Sequence, residues 1–72
     1  MKIFLIFLSI FLNNQVVEDL FEQSNNFYTN GEYQNAITGY LDILESGYES
    51  AELYFNIGNT FYKLNNIPES NF

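Results

Sequence analysis

The apolar residues from position 17 onward recur at helical spacing, three or four residues apart. Three such stripes are Val17, Leu20, Phe21, Ser24, Phe27 and Tyr28; Tyr33, Ala36, Ile37, Tyr40, Leu41 and Leu44; and Tyr54, Ile57, Gly58, Phe61 and Leu64. This spacing is typical of amphipathic helices that bury one face. No segment alternates polar and apolar residues as a half-buried strand would. The pattern therefore predicts an all-α fold.

Local stop and cap signals place the ends of these helices. Asn30-Gly31 and Ser46-Gly47 are typical helix C-terminal stops. Ser50 is a favourable N-cap for the third helix, and Pro68 suits the first turn of a fourth. We therefore predict helices over 16–30, 33–46, 51–64 and 67–72. The fourth is much shorter than the second, so we expect the chain to be the N-terminal piece of a longer protein.

The first and third helices are related by an internal repeat of 34 residues. When 17–38 is compared with 51–72, five of the 22 pairs are identical: Glu18/Glu52, Phe21/Phe55, Asn25/Asn59, Phe27/Phe61 and Tyr28/Tyr62. A fixed period of this length is typical of stacked helix–turn–helix repeats. We expect a repeat domain over 16–72, with repeat one at about 17–50 and a partial repeat two at 51–72.

The first twelve residues, MKIFLIFLSIFL, have a different character. Lys2 precedes ten residues that are all apolar except Ser9, and the polar run Asn13-Asn14-Gln15 follows. This is the order of a secretory signal peptide, and the stretch is shorter than the roughly 20 apolar residues of a membrane-spanning helix. We expect residues 1–15 to be a helical signal peptide or signal anchor that packs little against the repeats. The uncleaved anchor stays open because no small-residue cleavage motif is present, and a buried core helix is the structural alternative.

The composition and charge of the chain exclude most kinds of catalytic site. The chain has nine Asp and Glu against two Lys, a net charge of −7, and contains no His, Cys, Arg or Trp. A Ser-His-Asp triad, a thiol nucleophile and a Cys/His zinc site are therefore excluded. Nucleic-acid binding is excluded too, because phosphate neutralisation requires Lys or Arg. We expect no enzyme activity, no cofactor and no metal.

The two copies of the repeat resemble the tetratricopeptide repeat (TPR). The second copy carries Tyr54, Ile57-Gly58 and Phe61 at the positions of that signature. The first copy matches less well, since Gln23 replaces the usual Leu and Tyr48 the usual Pro. The resemblance covers about 16–72 and implies antiparallel helix pairs, about one and a half repeats in all. Residues expected to pack within and between repeats are Ser24, Phe27, Ala36, Tyr40, Ile57, Gly58 and Phe61.

A narrower resemblance is to the N-terminal repeats of BatE-type proteins of bacterial aerotolerance operons. It is carried by the short apolar leader and by the stretch from Glu45 to Ser50 followed by Leu53-Tyr54-Phe55-Asn56. The resemblance implies an exported protein of the periplasm or cell envelope. Membrane association through residues 3–12 is the alternative location.

Stacked TPR helices form a concave face that docks peptides, and the resemblance implies which residues lie there. The expected partner-binding residues are Phe21, Asn25, Tyr28, Thr29, Glu52, Phe55, Asn59, Tyr62 and Lys63. Asn amides can bond both groups of a peptide backbone. A solvated Asn and inter-repeat packing of the aromatic residues are the alternatives. Because Lys63 is the only cation after the leader, we expect a neutral or basic protein partner.

Two further function classes stay open beside this protein–protein interaction module. One is a structural repeat spacer without its own ligand. The other is a fragment of a carboxylate-dependent hydrolase that uses Asp42, Glu45 or Glu49, or the pair Glu18 and Glu22. These acids lie at helix-surface spacing and lack the spacing of a calcium-binding EF-hand loop. A solvated acidic face is the favoured interpretation.

Overall fold

The computed structural model describes the backbone of residues 2–66 and the side chains of residues 14–66. Within this part of the chain the structure consists of helices and turns, with no strand: α1 Lys2–Thr29, α2 Tyr33–Glu45 and α3 Ala51–Asn65. The predicted all-α class is therefore confirmed. The predicted fourth helix at 67–72 and the side-chain packing of the leader lie outside the described residues.

Helix α1 differs from the prediction at its N-terminus. The expected start at residue 16 is wrong, because α1 runs without interruption from Lys2 to Thr29. Asn13-Asn14-Gln15 contains neither Gly nor Pro, and Asn and Gln in a helix interior cost only a fraction of 1 kcal/mol each. Polarity at these positions ends the apolar run but does not end the helix. The bounds of α2 and α3 agree with the prediction to within one residue.

The turns between helices depend on two glycines and one cap. Gly31 and Gly47 have φ angles of +82° and +101°, in the left-handed region where a Cβ is disfavoured. Ser50 is extended, and its Oγ accepts a hydrogen bond from the Leu53 backbone N at 3.0 Å, which caps α3. These residues stop each helix within a few positions and force the chain to reverse.

Helices α1 and α2 pack antiparallel. The ring centroids of Tyr28 and Tyr33 lie 5.3 Å apart next to the connecting turn. Further from the turn, Phe21 meets Tyr40 with centroids 6.0 Å apart. Residue numbers thus fall along α1 as they rise along α2. Helix α3 turns back along α2 in the same way, with Lys63 Nζ 5.9 Å from the Tyr33 ring centroid.

Helices α1 and α2 come into close contact at Ser24 and Gly39. A Cβ placed on Gly39 would lie 2.0 Å from Ser24 Oγ and 3.2 Å from Ser24 Cβ, so only glycine fits there without movement. The sequence pattern identified Ala36, but not Gly39, as a small packing residue of α2. Ala36 is fully buried in the core, one turn before Gly39.

The core lies along α2, between α1 and α3. Its buried centre consists of Ala36, Tyr40, Ile43 and Leu53. Partly buried residues from all three helices pack against this centre: Val17, Leu20, Phe21, Phe27, Tyr28, Leu44 and Ile57. Because α2 contacts helices on both sides, it contributes most of the fully buried side chains.

One face of α3 remains exposed within the described residues. Phe55 and Tyr62 are each 68% exposed, and Tyr54 and Phe61 about half. Among the residues described, none has an atom within 4 Å of a Cβ added to Gly58, whereas its counterpart Ser24 is buried between α1 and α2. The predicted packing partner of Gly58 and Phe61 is the helix at 67–72, which lies outside the described residues.

Candidate functional site

Two depressions lie along the face that α1 shares with α3. The larger has a volume of about 640 Å³ and is lined by Asn14, Val17, Glu18, Phe21, Glu22, Asn25, Asn26, Tyr48 and Glu52. The smaller, about 160 Å³, is lined by Asn25, Tyr28, Thr29, Tyr40, Asn56 and Asn59. Asn25 belongs to both, so the two depressions adjoin along α1. We refer to them below as the larger and the smaller depression.

Asn25 joins the three helices through its carboxamide oxygen. The Tyr40 hydroxyl of α2 donates a hydrogen bond to Asn25 Oδ1, and Asn56 Nδ2 of α3 donates to the same atom at 3.4 Å. The oxygen is therefore occupied within the protein. An incoming peptide could therefore hydrogen-bond only to the NH2 group of Asn25. The sequence pattern had predicted the same peptide-binding role for Asn25 and Asn59.

Tyr40 is the buried partner in this arrangement, with 1% of its surface exposed. Burial raises the pKa of its hydroxyl above the usual 10.0, and the neighbouring Tyr28 and Glu52 raise this pKa further. The phenol is thus held in its protonated form, which is the form that donates to Asn25. The bond satisfies a polar group that would otherwise be costly to bury.

Aromatic and acidic side chains line the larger depression together. Phe21 is half-buried, and its ring meets that of Tyr48 edge-on with centroids 6.4 Å apart. Glu18 and Glu22 are exposed on successive turns of α1, and Glu52 is exposed on the first turn of α3. The depression therefore presents apolar contact area next to three carboxylates.

Six of the nine predicted partner-binding residues line one or both depressions. Those lining the larger are Phe21, Asn25 and Glu52, and those lining the smaller are Asn25, Tyr28, Thr29 and Asn59. The other three, Phe55, Tyr62 and Lys63, line neither of these two depressions. The rings of Phe21 and Tyr28 also pack against the core, so they serve both the binding interpretation and the packing alternative.

Several lining residues were not among the predicted site residues. Glu18 and Glu22 lie at i, i+4 on the same face as Phe21 and Asn25, so helical spacing could have placed them in the larger depression. Tyr48 could not be found this way, because it lies in the turn between α2 and α3. Its position depends on how that turn folds back over α1.

Three acids of the hydrolase alternative, Asp42, Glu45 and Glu49, line neither depression. Asp42, Glu45 and Glu49 are all exposed. Among the described residues, no group of three acidic side chains comes close enough to hold a metal ion. These carboxylates therefore give no geometric support to a shared acid–base or metal site in this part of the chain.

Comparison of the chain with protein-family models, with curated proteins and with solved structures gives no match. In the part of the chain that the structure describes, none of the helices has the length and apolar character needed to cross a membrane. The assignment of a function consequently rests on the 34-residue period and on the geometry of the two depressions.

Proposed function

We propose that this chain is a TPR-type protein–protein interaction module that docks a partner segment on the face shared by α1 and α3. The observation that carries the proposal is that two helices related by the 34-residue period both line the same pair of adjoining depressions. The antiparallel α1–α2 pair, with the small residues Ser24 and Gly39 in close contact, supports the repeat assignment.

The mechanism is equilibrium docking without covalent chemistry. The half-buried rings of Phe21 and Tyr28 offer apolar area, and the amides of Asn26 and Asn59 can bond the main chain of an extended segment. The bonds among Asn25, Tyr40 and Asn56 hold the three helices in register before binding. A preorganised surface of this kind loses less conformational entropy when a partner docks.

The proposal includes export to the cell envelope, as the leader and the likeness to BatE-type proteins suggest. The position of the core is compatible with either cleavage or retention of residues 1–15. Among the side chains that the structure describes, those of residues 14–66, Val17 is the first residue of α1 packed against the buried centre. Removal of residues 1–15 would shorten α1 but leave Val17 and every later core contact in place.

Selection of peptides from a random dodecapeptide library against the full chain tests the docking proposal. We expect binding peptides whose affinity falls about tenfold, or 1.4 kcal/mol, in the variant Asn26→Ala/Asn59→Ala, because two main-chain contacts are lost. Gln23 and Gln34 are exposed polar residues that line neither depression. The matched control Gln23→Ala/Gln34→Ala should therefore bind as the wild type does.

A library that yields no binding peptide would instead support a structural spacer. Peptides that bind both double variants equally well would place docking elsewhere on the molecule. Circular dichroism of each variant confirms that the helices persist, since all four substitutions exchange a polar residue for a strong helix former.

A further inference from the structure

The larger depression is lined by three carboxylates and two aromatic rings. We propose that it holds a basic segment of the partner protein, with a Lys or Arg side chain lying across Phe21 and Tyr48 and its cationic group among the surrounding carboxylates. This inference rests on the proposed docking function and specifies the chemistry of the occupant.

The charge of the larger depression is not balanced from within the described part of the chain. Glu18, Glu22 and Glu52 all line it. Among the side chains of residues 14–66 the only cation is Lys63, which lies in the last turn of α3 and reaches the ring of Tyr33. Since Glu18 and Glu22 are like charges at i, i+4, their repulsion disfavours the helix until a cation neutralises it. A basic partner segment provides that charge.

The two aromatic rings of the larger depression can bind the side chain of Lys or Arg. The ring of Phe21 and that of Tyr48 meet edge-on at 6.4 Å, and Tyr48 is 40% exposed. An ammonium or guanidinium group gains cation–π attraction within about 6 Å of such a ring. The aliphatic stem of Lys or Arg can cover the apolar surface while its charged end reaches the carboxylates.

The carboxylates of the larger depression are not arranged to hold a metal ion. In the region described, no three acidic side chains approach closely enough to hold one. The carboxylates are instead spread over two helices, at Glu18 and Glu22 on α1 and at Glu52 on α3. Carboxamides of Asn14 and Asn26 also line the depression and can bond the main chain on either side of the basic residue.

The experiment compares two double variants that remove the same amount of charge. Glu18→Gln/Glu22→Gln removes the two carboxylates that α1 contributes to the larger depression. Asp42→Asn/Glu45→Gln removes two exposed carboxylates that line neither depression. Peptides selected by the full wild-type chain from a random dodecapeptide library serve as probes. Their sequences and their dissociation constants for each variant are measured at low and high salt.

We expect Lys or Arg to be enriched at one or two peptide positions. Affinity should fall about tenfold in Glu18→Gln/Glu22→Gln and less than about twofold in Asp42→Asn/Glu45→Gln, because close charges are screened less than distant ones. The difference between the two variants should shrink at high salt.

Selected peptides without Lys or Arg, or equal affinity for the wild type and Glu18→Gln/Glu22→Gln, would overturn the basic occupant and leave the docking function intact. Equal losses in both double variants would also overturn it, since the effect would then come from net charge alone. If no peptide is selected, the docking function itself fails. Gln is a good helix former, so exposed Glu→Gln changes should preserve α1.

Discussion

At the scale of single residues, the hydroxyl of Tyr40 connects the core to the candidate site. It is buried among the apolar residues of α2 and donates to Asn25, which also accepts from Asn56. A buried hydroxyl without a partner would cost about 1–3 kcal/mol. The need to satisfy this hydroxyl therefore favours the one arrangement of three helices in which Asn25 reaches it.

Tyr40→Phe should lower the free energy of unfolding by about 1 kcal/mol at neutral pH, because the bond to Asn25 is lost. It should also change the alkaline pH dependence. The pKa of Tyr40 is raised above 10.0 in the folded chain, so its contribution is fully present below pH 10 and is lost as the pH rises through the raised value. Urea unfolding from pH 8 to pH 11 measures both effects.

The control for this substitution is Tyr54→Phe, at a position that is half exposed. It should change neither the stability at neutral pH nor the alkaline slope by a comparable amount. If Tyr40→Phe and the wild type lose stability in parallel above pH 10, ionisation of Tyr40 is not coupled to folding and the role assigned to its hydroxyl is wrong.

At the scale of secondary-structure elements, the contact between α1 and α2 is governed by two small side chains. Ser24 is 1% exposed and lies against Gly39, where no Cβ can be added without movement. Among the residues that the structure describes, Gly58, the counterpart of Ser24 in α3, is exposed and has no atom near an added Cβ. The same substitution should therefore have opposite effects at the two glycines.

Gly39→Ala should destabilise the fold by about 1–3 kcal/mol, because the added methyl group overpacks the crossing at Ser24. Gly58→Ala should be neutral or stabilising by up to about 1 kcal/mol, because Ala is the better helix former. Chemical denaturation of both variants makes the comparison. Ser24→Ala should relieve part of the cost of Gly39→Ala, since it removes the nearest atom. Equal effects at the two glycines would show that the helices cross elsewhere.

At the scale of the whole molecule, the proposed export signal in residues 1–15 can be tested with a reporter fusion. A fusion of residues 1–30 to a reporter that is active only outside the cytoplasm should be exported. Leu5→Asp/Leu8→Asp should abolish export, because each charge at the centre of an apolar segment costs about 2.5–3.5 kcal/mol in a membrane. Reporter activity and its distribution between soluble and membrane fractions are the measurements.

The matched control adds the same two charges just outside the apolar run, as Asn13→Asp/Asn14→Asp, and should still be exported. A wild-type fusion that stays in the cytoplasm would remove the envelope location from the proposal. Export into the membrane fraction would identify the segment as an anchor. Because the chain contains no Cys, the repeats should fold in either redox environment.

Local patterns in the sequence were sufficient to predict the helical class and most helix ends. The apolar spacing of α2 and α3, the glycines at 31 and 47 and the cap at Ser50 act within a few residues of the positions they control. The start of α1 was missed because the run at 13–15 changes polarity without supplying a helix stop. Helical spacing also brought Phe21 and Asn25 to one face.

Only the tertiary structure showed that Gly39 of α2 lies against Ser24. It also placed Tyr48, a turn residue, over Phe21 and beside three carboxylates, and it paired the oxygen of Asn25 with Tyr40. Periodicity identifies the face of a helix but not the angle at which two faces cross. That angle depends on the packing of side chains that are far apart in the chain. Local spacing therefore places Glu18, Phe21, Glu22 and Asn25 on one face of α1, whereas packing decides which residues of α2, α3 and the turn join them in the depressions.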